Sequence, residues 1–175
     1  LRKNWGKLPE YVAKMFSYAN QNFGEYTYPQ YSIIQGGDGG MEYAMATLIT
    51  GKRKFSSLVG VTVHELMHSW YQMLLATNEG LYPWMDEGFT SYASSKIMTY
   101  LFNPDEDDRR GRYIDSYVAL ANSGKEEPMS KMADHYNTNY AYGAASYSKG
   151  AVFIAQLGYV MGQENLERGS RRYFD

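Results

Sequence analysis

The sequence predicts an α+β domain, mainly helical, with a small β portion near its N-terminal end. Three observations carry this. Strand-like runs of β-branched and aromatic residues fall only between Tyr28 and Ile49. Beyond that stretch, apolar residues return at three- and four-residue steps over several long segments. At 175 residues and 44% apolar content, the chain suits one core and one domain, residues 1–175. No linker or internal repeat divides it.

Element by element, residues 9–23 read as a helix ending near Gly24. Tyr31-Ser32-Ile33-Ile34 and residues 41–49 read as two strands, with Gly36-Gly37-Asp38-Gly39-Gly40 as a hairpin loop joining them. Residues 56–77 follow as a helix in which Val61, Leu66, Trp70, Met73 and Leu74 supply the apolar positions. Neither proline nor glycine interrupts residues 61–77. Thr77-Asn78-Glu79-Gly80 reads as its stop and Pro83 as the start signal for the next helix, residues 84–101. A third helix is expected over 107–121. Residues 124–142 are polar and irregular. Residues 144–161 form a further helix, with Gly162 before a short last one from Glu164.

Charge and composition exclude several function classes. The formal charge is −2, so there is no electrostatic case for nucleic acid. Arg109-Arg110 and Arg171-Arg172 are short doublets suited to solvated helix faces. Asp105-Glu106-Asp107-Asp108, after Pro104, reads as the acidic start of a helix rather than a calcium loop. There is no cysteine, hence no disulfide and no thiol ligand, which leaves the compartment open. No apolar run has the length of a membrane span, and no signal peptide is visible at Leu1.

The chemistry concentrates in His64-Glu65-Leu66-Met67-His68, with eighteen residues between it and Glu87. Histidines four apart on a helix share a face and lie roughly 6 Å apart along the axis, so both imidazoles can meet one ion. Glu65 stands about 100° further round, beside the metal rather than on it, where it can take a proton from a water held there. A catalytic zinc takes three protein ligands and keeps one position open. Glu87, in the first turns of the next helix, is placed to be the third ligand. One Zn²⁺ per chain is therefore expected on His64, His68 and Glu87. A metzincin would need glycine and histidine where this chain has Tyr71 and Leu74. The remaining histidine, His135, lies far downstream.

A third ligand from a glutamate on the following helix is the gluzincin arrangement. With the local run Trp84-Met85-Asp86-Glu87-Gly88-Phe89-Thr90, the spacing resembles the M1 family of zinc aminopeptidases. Asp86 stands where asparagine is usual. Gly39-Gly40-Met41-Glu42-Tyr43 is similar to the family's Gly-x-Met-Glu-Asn motif, with Tyr43 in place of the last asparagine. Tyr147-Ser148-Lys149-Gly150 resembles its Tyr-x-Lys-Gly segment.

The resemblance implies a thermolysin-like catalytic domain within a longer chain whose flanking domains are missing. It implies a peptide substrate with a free N-terminus, bound at Glu42 with backbone contacts from Gly39, Gly40 and Met41. It implies Glu65 as the general base and Tyr147 as a hydroxyl that stabilises the oxyanion. A free amino terminus is a cation, so a carboxylate such as Glu42 is its natural partner. Three alternatives stay open: an endopeptidase on the same chemistry, another M1-type hydrolase such as an epoxide hydrolase, and an inactive scaffold.

Overall fold

The computed structural model describes residues 2–37, 39–103 and 106–174. A short helix α1 (Arg2–Trp5) and α2 (Leu8–Asn22) lead into a three-stranded sheet. Its strands are β1 (Ser32–Gly36), β2 (Gly40–Tyr43) and β3 (Ala46–Thr50). The helices α3 (Phe55–His68), α4 (Pro83–Phe102), α5 (Glu106–Asn122), α6 (Asn139–Gly143), α7 (Gly150–Met161) and α8 (Gln163–Arg172) follow. Strands come early and helices predominate afterwards, as expected. Among the described residues, no helix is long and apolar enough to cross a membrane.

The sheet corrects the expected hairpin. The strand order is β1-β3-β2, with β1 parallel and β2 antiparallel to β3. The glycine loop therefore carries the chain past β3's position instead of pairing β1 with β2. The long second strand expected over 41–49 is split by a reversal at Met45, which takes φ 61°. A positive φ on a non-glycine residue is rare and has no sequence signal here. One consequence matters for the site: among the described residues, β2 is an edge strand, paired with β3 alone.

The helix expected over 56–77 is also corrected. It is α-helical to His68 and then widens into a π-helical turn, Ser69–Leu74. A second π turn, Ala144–Lys149, precedes α7. Residues 124–142 are not wholly irregular, since they hold a 3₁₀ turn (Ala133–His135) and the start of α6. Thr138 caps α6 by accepting from the Ala141 N–H. In the acidic run, Asp105 lies outside the described residues and α5 begins at Glu106.

The core gathers around α3, where Leu58, Val59, Val63, Leu66 and Met67 are fully buried. A helix buried on most sides need not confine its apolar residues to one stripe. Trp70, also fully buried, donates its indole N–H to the Gly24 carbonyl at 2.9 Å, tying the end of α2 to the π turn.

Helices α4 and α7 cross at Gly88 and Gly150. A Cβ on Gly150 would lie 2.8 Å from the Gly88 Cα, and one on Gly88 would lie 2.9 Å from the Gly150 Cα. Backbone meets backbone there, so nothing flexible can give way. Gly150→Ala is therefore expected to destabilise the protein by about 1–3 kcal/mol, the usual cost of overpacking. In chemical denaturation the control Gly169→Ala, which meets nothing within 4 Å, should be neutral or slightly stabilising. Equal stability of the two variants would show that the crossing is not tight.

Candidate metal centre

Three side chains from two helices converge on one point. His64 and His68 come from the last turns of α3, and Glu87 from the first turns of α4. The His64 and His68 Nε2 atoms are 3.3 Å apart. Glu87 Oε2 lies 3.2 Å from His64 Nε2 and 3.5 Å from His68 Nε2. This is a nearly equilateral triangle of lone-pair atoms. Tetrahedral bonds of about 2.0–2.1 Å place donor atoms about 3.3 Å apart. Glu87 Oε2 is buried without a hydrogen-bond partner. A buried carboxylate oxygen left this way is costly unless a cation meets it. The donor set of two imidazoles and one carboxylate suits a divalent ion of zinc's kind, with a fourth position open toward the cleft.

The second histidine is held from behind. His68 is 1% exposed, and its Nδ1 sits 2.6 Å from Asp86 Oδ1. The ring N–H donates to that carboxylate, which leaves Nε2 free to face the triangle. Thr90 Oγ1 lies 3.4 Å from the same nitrogen. Burial opposes charge on His68, but the Asp86 contact outweighs it and holds the imidazole up at about 9. The sequence pattern alone gives Asp86 no role beyond standing where asparagine is usual. The available signal was its acidity next to a ligand, and its partner emerges only once α3 and α4 pack.

Glu65 lies beside the triangle, and burial pushes its carboxyl up to about 7 against the pull of His64 and His68. Its seat is specific. A Cβ on Gly40 would fall 2.1 Å from Glu65 Oε1 and 2.9 Å from a Val61 methyl. Gly40 thus lets β2 lie close over Glu65. Gly39 has a different task, turning the chain at φ 58° while its carbonyl accepts from the Thr50 N–H at 2.8 Å.

Glu42 reaches the centre from β2. One of its carboxylate oxygens lies within 4.8 Å of a His68 ring nitrogen and of an Asp86 oxygen. Tyr147, from the second π turn, donates its hydroxyl to Glu87 Oε1 at 2.5 Å and stacks its ring on His64 at 5.7 Å and 18°. Burial and the Glu87 charge push its phenol far above the ordinary value, so it stays a donor. Burial works to raise Glu87 in turn, but His64, His68 and Tyr147 outweigh it and hold it below the ordinary carboxylate value.

Gly40, Met41, Glu42, Glu65 and Tyr147 line a cleft of about 290 Å³ over the triangle, joined by Glu79 and Tyr142, which sequence reading had not assigned. Gly39 is not part of that lining, and His135 sits apart on the 3₁₀ turn.

The model of the peptidase family M1 domain matches residues 9–175. The chain belongs to this family. Aminopeptidase B of Rattus norvegicus is 29% identical over 187 residues, covering 97% of this chain but 28% of that protein. An M1 zinc metallopeptidase structure from Deinococcus radiodurans superimposes with a TM-score of 0.73 at 20% identity, covering 94% of this chain and 36% of that one. The structure of yeast LTA4 hydrolase gives a TM-score of 0.75 at 24% identity, covering 93% and 28%. These two likenesses establish the fold of this M1 member. The chain thus spans under a third of the length of the aminopeptidase it matches.

Two outcomes test the centre. Asp86→Ala should weaken zinc binding by about 10–100-fold, measured by competition with a chelator, because the His68 ring loses its orienting partner. Asp86→Asn, which still accepts from Nδ1, should recover most of the loss. Zinc must also displace the proton that His68 holds up to about 9, so apparent affinity should rise as pH goes from 6 toward 9. Affinity independent of pH over that range would contradict the His68–Asp86 assignment.

Proposed function

We propose that the chain is a catalytic-domain fragment of a zinc aminopeptidase that hydrolyses the first peptide bond of its substrate, built in the thermolysin-like manner. The observation that carries this reading is the triangle of His64, His68 and Glu87, with Glu65 and Glu42 in the same cleft. His64 and His68, presented by α3, and Glu87, presented by α4, would hold the zinc. When bound, zinc supplies Lewis acidity toward a peptide carbonyl and acidifies a water.

The remaining steps belong to the side chains. Glu65 takes the proton of the attacking water and passes it to the departing amine. Its elevated carboxyl suits transfer in both directions near neutrality. Tyr147 is protonated and already at the ligand set. Turning its hydroxyl from Glu87 toward the carbonyl oxygen stabilises the negative charge that develops there. Glu42 accepts from the substrate's free amino terminus, which confines cleavage to the first bond. The open edge of β2 can align the substrate backbone by main-chain hydrogen bonds.

Flanking segments of a longer chain belong to this reading. Helix α7 is apolar on nearly every side, yet Tyr159 and Val160 are 87% and 79% exposed. A helix apolar all round is normally covered, and the matched aminopeptidase is a far longer protein.

Glu65→Gln should retain zinc while kcat falls at least about 100-fold, as expected for lost acid–base catalysis. Metal content by elemental analysis alongside turnover of aminoacyl anilides measures both, and unchanged turnover would remove Glu65 as base. Glu42→Ala should impair free-amino substrates far more than amino-blocked ones. Equal losses on the two would reject the anchor and favour an endopeptidase.

A further inference from the structure

Tyr147 stands on a π turn, Ala144–Lys149, rather than on a regular α-helix. Such a turn admits one extra residue, so the direction of its side chains depends on what the turn leans against. On the inner side, the Tyr147 hydroxyl donates to Glu87 Oε1 at 2.5 Å. On the proposed reading that contact opens when the hydroxyl turns toward a substrate carbonyl, so it is not what holds the turn during reaction. Stacking on His64 restrains the plane of the ring and leaves the backbone behind it free. The remaining restraint comes from the outer side.

There, the two residues after Tyr147 both lean on α5. Ser148 Oγ donates to Ser116 Oγ at 2.9 Å. Lys149 pairs with Glu126, just beyond the end of α5. Its ammonium also lies 5.4 Å from the centre of the Tyr117 ring, within the range of a cation–π contact. Ser116 and Tyr117 are chain neighbours, as are Ser148 and Lys149. Successive residues of the turn are thus latched onto successive residues of one helix. The Lys149 and Glu126 side chains are 26% and 32% exposed, a setting in which an ion pair adds little to global stability. Held by a carboxylate and a ring face together, the ammonium ties the turn at two points. Lys149 does not line the metal cleft, so any effect it has on the reaction runs through the turn.

We infer that Lys149 is a positioning residue for Tyr147: by pairing with Glu126 and covering the Tyr117 ring, it holds the π turn still while the hydroxyl moves from Glu87 to the substrate carbonyl. This rests on the proposed reading, in which Tyr147 stabilises the developing oxyanion. Without the latch, the turn can follow the hydroxyl, and the donor meets the carbonyl oxygen at a poorer distance and angle. Oxyanion stabilisation depends on a donor fixed before charge develops. The loss therefore falls on the transition state, and substrate binding through Glu42 is left in place.

The test uses the full-length, zinc-loaded protein and aminoacyl anilides. Lys149→Met keeps the stem and removes the charge. It should lower kcat about tenfold, within what a small misplacement costs, while KM changes less than about twofold and zinc content stays the same. Lys149→Arg, which can keep both the pair and the ring contact, should restore most of the loss. Lys14 offers a control away from the site, since it pairs with Glu10 and lies 5.2 Å from the centre of the Tyr11 ring. Lys14→Met should leave kcat unchanged. In a Tyr147→Phe background, Lys149→Met should lower kcat no further, because the hydroxyl it positions is already gone. An equal loss in both backgrounds, no loss in either, or the same loss from Lys14→Met overturns the assignment. Should the parent protein turn over no anilide, the peptidase reading fails instead, and crystal structures of the zinc-loaded parent and of Lys149→Met decide the matter. A Tyr147 hydroxyl displaced from its parent position supports Lys149, and an unmoved one overturns it.

Discussion

Everything in this structure answers to three lone-pair atoms held 3.2–3.5 Å apart by two helices. Such atoms repel one another unless a proton or a metal cation lies between them. They also sit in a largely buried place, where water cannot relieve them. The scaffold must therefore be rigid enough to impose the triangle before the ion arrives. That rigidity comes from α3, buried on most sides, and from α4, whose Glu87 and Asp86 face the same point. One carboxylate completes the donor set, and its chain neighbour fixes the ring it meets. Two adjacent acids on one helical turn thus serve opposite sides of the same imidazole.

Much of the triangle was legible because helical geometry converts spacing into position. His64 and His68 must share a face, and Glu65 must stand beside them. Asp86 was not legible, since its partner depends on how two helices cross, and no one-dimensional period encodes that. The sheet was misread for a related reason. The glycine loop announces a reversal without saying which strand will be the neighbour, and the parallel β1–β3 pairing requires the chain to pass over β2 first. The turn at Met45 is made by a residue that ordinarily avoids positive φ, so composition concealed it. The π turns were hidden too, because one added residue per turn leaves hydrophobic content unchanged. Such turns gather at functional sites, and here one begins directly after His68 while the other carries Tyr147.

The glycines of the three motifs have separate physical reasons. Gly39 takes a positive φ, Gly40 yields space to Glu65, and Gly88 and Gly150 let two helix backbones touch. The last pair links the elements of the site most directly. Gly88 follows Glu87, and Gly150 lies three residues after Tyr147. Where their helices meet without side chains between them, the tyrosine hydroxyl comes within 2.5 Å of the glutamate. A larger residue at either crossing position would separate the phenol from the ligand set.

Net charge conceals the electrostatics of the cleft. A formal charge of −2 over 175 residues is unremarked at the scale of the whole chain. Within the cleft, Glu42, Glu65, Glu79 and Glu87 gather around two imidazoles and a protonated phenol. A divalent ion offsets two of those negative charges and leaves an excess. The cleft therefore favours whatever brings positive charge, which a free amino terminus always does and a blocked one does not. On the proposed reading, the same excess would oppose an acidic first residue, and selection among peptides would begin with the field of the cleft before any side chain makes contact.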